Sequence, residues 1–157
     1  MIDEKDKKIL LELQKNARQS ISSIARKTQL PRDVVKYRIK KLEENKIILS
    51  YHAFLDHAKL GYPMYTFVLI SLSNYTLDDE KKFLSYLKQN KNVVYVGTMT
   101  GNWDIGINIC ARDFNQFNEI MKDIRIRFSS IIKEFTIGTI IKEIKPDSTA
   151  DLIEPIN

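Results

Sequence analysis

Residues 20–45 read SISSIARKTQLPRDVVKYRIKKLEEN, and this stretch decides the fold of the first third of the chain. Its serines are candidate helix caps, and Ile24 lies on the apolar side of a two-turn helix that ends near Thr28. Because proline is tolerated in the first turn of a helix, Pro31 is expected to open another helix that runs to about Asn45. That helix has one apolar stripe at i, i+4, i+7 spacing, formed by Val35, Ile39 and Leu42.

Apart from this apolar stripe, the helix that Pro31 opens is polar and basic. A short helix, a tight turn and a longer basic helix predict a helix-turn-helix, whose second helix fits the DNA major groove. In that arrangement Arg32 donates to guanine, while Asp33 accepts from a cytosine amine or orients a neighbouring arginine. Serines and lysines around them are expected to contact phosphates. The predicted DNA-binding residues are Ser20, Ser22, Arg32, Asp33, Lys36, Tyr37, Arg38, Lys40 and Lys41.

Two of these residues have an alternative role within their own domain. Arg38 is as well placed for a salt bridge to Glu12 or Glu43 as for a phosphate contact. Tyr37 can pack against its own domain instead of entering the groove. Both alternatives stay open in the sequence.

Residues 1–50 carry all of the chain's positive excess. They contain 13 Lys and Arg against 7 Asp and Glu, a sum of +6, whereas residues 51–157 contain 12 against 13, a sum of −1. This distribution of charge is typical of one module that binds phosphates and another that does not, although a solvated lysine-rich surface gives the same count.

The sequence also predicts a first helix, which is capped by Asp3, with Asp6 as its acidic partner, and ends at about Asn16.

Residues 51–62 form a predicted linker strand. Residues 47–54 are β-like, compatible with a small wing or an extended linker, and Gly61-Tyr62-Pro63 marks a boundary. His52 and His57 are five residues apart, a spacing that suits no chelating face of a helix, and we assign them no chemistry.

The remaining two thirds alternate between strand and helix patterns. Predicted strands cover Met64–Leu72, Val93–Thr100, Asp104–Ala111 and Ile131–Ile144, with one helix capped by Asp78 or Asp79 and another opened by Asp113. This βαββαβ order predicts a ferredoxin-like antiparallel sheet with both helices on one face. The expected α+β chain has a winged-helix-like helix-turn-helix domain at 1–50, the ferredoxin-like domain at 63–145 and a tail at 146–157.

The sheet face opposite those helices has no cover in this arrangement. Met64–Leu72 is apolar on both of its faces, which predicts a strand that is buried on each side. Since two helices cover only one face, the other is expected to pack against a second copy. A homodimer also places two helix-turn-helix units on one DNA with two-fold symmetry.

Several classes of protein and site are excluded by composition. The longest apolar run, Met64–Ile70, is interrupted by Thr66 and is far shorter than the ~20 residues of a membrane helix. The acidic N-terminus is unlike a secretory signal, so a cytoplasmic protein is expected. Cys110 is the single cysteine, which excludes internal disulfides and multi-cysteine zinc sites. No nucleophile–base pair or phosphate-binding glycine loop is visible, so we expect neither an enzyme nor a cofactor or metal.

Runs of residues at matching separations resemble the Lrp/AsnC, or feast/famine, transcription regulators over nearly the whole chain. Residues 2–10, 13–18, 24–25 and 35–43 resemble that family's helix-turn-helix. Thr100-Gly101-Asn102-Trp103-Asp104 is similar to its Gly-Asp-Tyr-Asp turn, and Thr136–Lys145 to its closing strand. The resemblance implies a RAM-type second domain, promoter DNA as partner, dimers that assemble to tetramers or octamers, and a nucleoid-associated place in a prokaryotic cell.

The resemblance also implies an amino acid as effector. The implied effector-binding residues are Thr100, Gly101, Asn102, Asp104, Thr136 and Gly138. Glycine lets a ligand approach the backbone, free amides accept a carboxylate, and a carboxylate at position 104 pairs with an α-ammonium. The alternative is a plain hairpin turn in which Asp104 is a local hydrogen-bond acceptor.

The sequence departs from the family pattern at three positions. Pro31 replaces the usual serine cap, Lys46 replaces the usual glycine after the recognition helix, and Trp103 replaces a tyrosine. The second change predicts a left-handed cap at Asn45 or strain in the backbone.

Two other functions are compatible with the same resemblance. Siroheme decarboxylases look like Lrp/AsnC proteins, but that chemistry needs histidine and arginine lining a pocket in the second domain, and residues 58–157 contain no histidine. A DNA-bending chromatin protein without an effector differs from a regulator mainly in specificity. The sequence does not separate those last two.

Overall fold

The computed structural model describes residues 2–142, 144 and 149–153. They divide into two compact units, one formed by residues 2–54 with 149–153 and the other by residues 55–142 and 144. The first unit therefore contains residues from both ends of the chain. The predicted domain limits at 50, 62 and 145 remain predictions, and residues 1, 143, 145–148 and 154–157 lie outside the described part.

The first unit is built from three helices, as predicted. They are α1 (Glu4–Lys15), α2 (Ile21–Thr28) and α3 (Arg32–Glu44), and a short 3-10 helix at Ala150–Leu152 packs with them. Burial of one apolar stripe from each helix holds them together, because each is too short to be stable alone. The buried core residues are Ile9, Leu13, Ile24 and Val35.

Local capping explains where these helices begin. Asp3 accepts hydrogen bonds from the backbone N–H groups of Lys5 and Asp6, and the Asp3 N–H donates in turn to the Asp6 carboxylate, so the predicted capping box is confirmed. Ser20 Oγ accepts from the Ser23 N–H at 3.2 Å and caps α2. Pro31 stands at the N-cap of α3 and makes no side-chain hydrogen bond there, as expected from its chemistry.

The predicted linker strand does not form within the described residues between α3 and residue 63. Residues 49–56 form neither a helix nor a paired strand, and a turn follows over residues 57–61. The paired strands of a wing at residues 47–54 are therefore absent from the described single chain, and the extended linker remains a prediction.

The second unit has the predicted ferredoxin-like order. Its elements are β1 (Met64–Leu72), α4 (Leu77–Gln89), β2 (Val93–Thr98), β3 (Ile105–Ala111), α5 (Phe114–Arg127) and β4 (Ile132–Thr139). The four strands pair antiparallel in the order β2-β3-β1-β4.

One face of this sheet packs against both helices. Val68 and Ile70 of β1 and the odd-numbered isoleucines of β3 are fully buried there with Phe83 and Leu87 of α4. Alternation places Tyr65, Phe67 and Leu69 on the opposite face, where they are half-buried. The strand is thus covered by helices on one side only.

Three predicted element ends are wrong by a few residues. Thr76, and neither of the predicted aspartates, caps α4, while Asp79 completes a capping box three residues later. β2 ends at Thr98 and β4 at Thr139, short of the predicted positions 100 and 144. The β1–β4 register ends at the Thr66–Thr139 pair, and one further hydrogen bond, from the Ile140 N–H to Tyr65 O at 2.9 Å, follows it.

Candidate nucleic-acid interface and ligand site

The outer face of α3 is polar, basic and accessible. Arg32, Asp33, Lys36 and Lys40 are exposed, and Tyr37 has 64% of its surface open to solvent. Val35 on the opposite side is fully buried. The alternative in which Tyr37 packs within its own domain is therefore not what the structure shows, and the predicted groove-facing residues lie together on one helix face.

A left-handed residue sets the turn between α2 and α3. Gln29 has φ 59°, and the next N–H, that of Leu30, donates to Ala25 O at 3.1 Å. Thr28 Oγ1 donates to Ile24 O at 2.8 Å and is buried beneath the turn. These contacts fix the direction in which α3 leaves the core, and with it the face that α3 presents.

Arg38 is engaged inside the unit instead of projecting from it. One guanidinium nitrogen lies 2.8 Å from Asp3 Oδ1 and 2.8 Å from Asp6 Oδ1. Burial lowers the pKa of Arg38, but the hydrogen bonds that Arg38 donates to Asp6 and Asp3 outweigh it and raise that pKa. Backbone hydrogen bonding to Asp6 and the Arg38 contact lower the pKa of Asp3. The alternative role of Arg38 as a salt-bridge residue is thus observed, with partners on α1 that sequence reasoning did not name.

Glu12 and Glu43, the two carboxylates proposed as partners of Arg38, bind other residues. Lys15 and Lys27 lie 2.9 and 3.0 Å from the Glu12 carboxylate, and their hydrogen bonds lower the pKa of Glu12 to about 2. Tyr51 Oη donates to Glu43 Oε1 at 2.7 Å, and burial together with this bond raises the pKa of Tyr51 to about 12. Glu12 therefore joins α1 to α2, and Glu43 joins α3 to the chain that follows it.

The predicted phosphate-contacting residues are all accessible. Ser22 and Lys41 are exposed, and Ser20 is exposed although its hydroxyl caps α2. Lys40 Nζ lies 3.6 Å from Glu44 Oε1, in an exposed pair that a phosphate can outcompete.

The candidate ligand site begins at the turn between β2 and β3. Gly101 has φ 109°, a conformation that favours glycine, and it is exposed with Thr100 and Asn102. The Met99 N–H donates to Asp104 O at 2.8 Å and closes the turn.

Asp104 ties this turn to β1. Its Oδ2 accepts from the Leu72 N–H at 2.7 Å, and its N–H donates to Ile70 O at 3.0 Å. The Asp104 side chain is therefore a structural hydrogen-bond acceptor, but its partner lies on β1 and not within the hairpin turn, as the sequence alternative had it. A carboxylate has acceptor capacity for further donors, so the same group can also meet an ammonium.

The other two predicted ligand residues lie on β4. Thr136 pairs with Leu69, which pairs on its other side with Gly106, and Gly138 pairs with Phe67. Strand β1 thus separates both from β3. Within one chain, the fold does not bring Thr136 and Gly138 to the β2–β3 turn, although all lie on the face away from the helices or at its edge.

Sequence reasoning missed three side chains, those of Met99, Phe67 and Tyr95, that pack directly against glycines of the strands. A Cβ at Gly106 would lie 3.0 Å from Met99 Sδ and 3.3 Å from Phe67 Cζ. A Cβ at Gly97, which pairs with Gly106 in the register, would collide with the ring of Tyr95. Glycine inside a strand marks close approach of another group, and that signal was available in the sequence.

Metal and membrane sites are not supported by the described residues. They contain no cluster of three or more histidine, cysteine, aspartate or glutamate side chains arranged to hold a metal ion. None of the described helices is long and apolar enough to cross a membrane.

Two family models match the chain, one for each unit. Residues 2–48 match the winged helix-turn-helix DNA-binding model, and residues 65–149 match the Lrp/AsnC ligand binding domain. An uncharacterised HTH-type transcriptional regulator of Pyrococcus furiosus is 32% identical over 147 residues, which span 87% of this chain and 95% of that protein. The HTH-type transcriptional regulator FL11 of Pyrococcus horikoshii is 28% identical over 76% of this chain and 78% of its own length.

Solved structures share the same fold. A transcriptional regulator from Neisseria meningitidis, crystallised as an L-Met complex, has a TM-score of 0.86 at 22% identity and covers 98% of this chain and 100% of its own. Escherichia coli AsnC has a TM-score of 0.79 at 21% identity, covering 96% and 99%. Bacillus subtilis LrpC has a TM-score of 0.78 at 26% identity, covering 94% and 99%.

Proposed function

This chain belongs to the Lrp/AsnC family of DNA-binding transcriptional regulators, and from that premise we propose which residues read promoter DNA and which sense an effector. The exposed basic face of α3 carries the first part of the proposal. Arg32, Asp33, Lys36 and Tyr37 enter the major groove and face base edges, while Lys40, Lys41, Ser20 and Ser22 contact phosphates.

Arg38 is excluded from this reading surface. Its charge is already neutralised by Asp3 and Asp6, so moving it to a phosphate would break two close ion pairs and leave two carboxylates facing DNA. We infer that Arg38 orients α3 against α1, and that sequence preference resides in the first two turns of α3.

Two alanine substitutions test this division of roles. Lys40→Ala is expected to weaken binding to all DNA sequences alike and to reduce the salt dependence by about one counterion. Arg32→Ala is expected to remove about 1–3 kcal/mol of discrimination between a selected site and random duplex. Both are measured by fluorescence anisotropy across a salt series, on a site selected from a random library. Equal losses on selected and random DNA from Arg32→Ala would refute base reading by this residue.

The second part of the proposal is an amino-acid effector bound at the β2–β3 turn. Gly101 and its exposed neighbours leave the backbone open to a carboxylate, and Asp104 supplies the negative charge for an α-ammonium. The L-Met complex of the Neisseria regulator, which has the same fold, supports an amino acid as the ligand class. Since β1 lies between Thr136 and the turn, a site that uses both draws them from different subunits.

We also infer that the protein works as a homodimer or a larger assembly in the cytoplasm of a prokaryotic cell. The uncovered sheet face with Tyr65, Phe67 and Leu69 supports self-association. The relatives it matches are transcriptional regulators, and we propose that this chain has no enzymatic activity. A siroheme-decarboxylase-like function would require tetrapyrrole absorption above 350 nm in the purified protein.

A further inference from the structure

The last described segment of the chain packs on the first unit, which carries α3 and is here called the DNA-binding unit. Residues Thr149–Ile153, here called the strap, include the 3-10 helix Ala150–Leu152. Ala150 is only 7% exposed, and its N–H donates to Gln14 Oε1 on α1 at 2.9 Å. A backbone donor buried against a side-chain acceptor marks a built contact, because its loss would leave a buried polar group unpaired.

The chain's path makes this contact unusual. It leaves the first unit after residue 54, forms the whole second unit, and returns to pack on α1. One open groove of about 1120 Å³ on the first unit is lined by the end of α1, by residues 47–54 and by Thr149, Ala150 and Ile153. The strap therefore forms one wall of this groove.

Helix α1 contacts both the strap and α3. Asp3 and Asp6 at the start of α1 bind Arg38 on α3, each at 2.8 Å. At the other end of α1, Gln14 receives the strap. A rigid helix of 12 residues joins the two contacts, so displacement at one end is carried to the other.

We propose that the strap is a structural part of the DNA-binding unit and that its docking on α1 holds α3 in the orientation that binds DNA. Release of the strap frees α1, loosens the Arg38 ion pairs and lowers affinity for DNA. This inference rests on the proposed function only for its DNA readout, because docking of the strap is measurable without DNA.

A charge inserted at a buried or an exposed position of the strap tests the proposal. Ala150→Glu places a carboxylate in the buried contact, and Leu152→Glu adds the same charge at a side chain that is 76% exposed. Amide hydrogen exchange of the free full-length chain is expected to speed up in α1 for Ala150→Glu alone, with β1 and β3 unchanged as an internal control for folding. The dissociation constant for duplex DNA is expected to rise at least about fivefold for Ala150→Glu, the factor that one ordinary hydrogen bond represents.

A chain ended after residue 148 provides the second variant, and it should reproduce both effects of Ala150→Glu. Unchanged exchange in α1 for both variants would overturn docking of the strap. Faster exchange in α1 with unchanged DNA affinity would overturn the link to α3. Equal loss of DNA affinity in Leu152→Glu would assign the effect to charge repulsion and also overturn the link. A wild-type chain that binds no DNA, yet shows the exchange effect, would instead be a failure of the proposed function.

Discussion

Asp104 combines two roles in one side chain, and a single substitution separates them. It is a structural acceptor for the Leu72 N–H and the proposed partner of an effector ammonium. Asp104→Asn keeps an acceptor oxygen but removes the charge, whereas Asp104→Ala removes both. Single-residue reasoning from sequence found this position but left its two roles as alternatives, because the amide it binds lies 32 residues away on another strand.

The residue-scale prediction is a thermal-shift screen against the twenty amino acids. An effector at a hundred times its dissociation constant adds about 2.7 kcal/mol to the free energy of unfolding, which raises the melting temperature of wild type by several degrees. Asp104→Asn is expected to melt close to wild type without ligand and to lose the shift. A full shift retained by Asp104→Asn would show that the carboxylate does not bind the ammonium.

Other residue-scale features were readable in the sequence only where the partner is local. The Asp3–Asp6 capping box spans three positions, and its spacing predicted it correctly. Arg38 found its partners 32 and 35 residues away, and the sequence named different carboxylates. Local hydrogen bonds are encoded in spacing, whereas long-range ion pairs depend on how helices cross.

At the scale of elements, the C-terminal cap of α3 holds a residue other than glycine in the left-handed conformation. The Ile47 and Lys46 N–H groups donate to Leu42 O and Glu43 O at 2.9 Å, a Schellman motif that requires a left-handed residue. Lys46 takes that conformation, with φ 55°, while Asn45 stays at φ −81°. Strain was predicted for this junction and is confirmed, but the alternative cap at Asn45 is wrong.

The element-scale prediction follows from that strain. Lys46→Gly removes the Cβ penalty of the left-handed conformation and is expected to raise the free energy of unfolding by about 1 kcal/mol, since Lys46 is exposed and its side chain is expendable. Lys46→Ala retains the Cβ and serves as the matched control, with no gain expected. Both are measured by urea unfolding with a common m-value. A gain of equal size in Lys46→Ala would attribute the effect to loss of charge.

At the scale of the whole molecule, element order was predictable and element ends were less so. Apolar periodicity placed the five α-helices and four strands of the described residues in the correct order, because each element buries one face against the core of its own unit. The ends of β2 and β4 depend on the register with neighbouring strands, which no local pattern records. The packing of the strap on α1 could not be foreseen either, since Gln14 and Ala150 are 136 residues apart.

The uncovered sheet face supports the last prediction, which concerns assembly. Leu69 is half-buried at the centre of this face, so a charge there would be desolvated in a dimer but tolerated in a monomer. Leu77 on α4 is 76% exposed on the helix side and gives a control substitution of the same type.

The assembly is measured by light scattering as the protein elutes from a size-exclusion column at micromolar concentration. Wild type and Leu77→Lys are therefore expected to give at least twice the chain mass, and Leu69→Lys the mass of a single chain. Circular dichroism should show that Leu69→Lys keeps its helices and strands, because the buried core on the other face of β1 is untouched. An assembly that persists in Leu69→Lys would place the subunit contact elsewhere, and a monomeric wild type would remove the proposal that the effector site draws Thr136 from a second subunit.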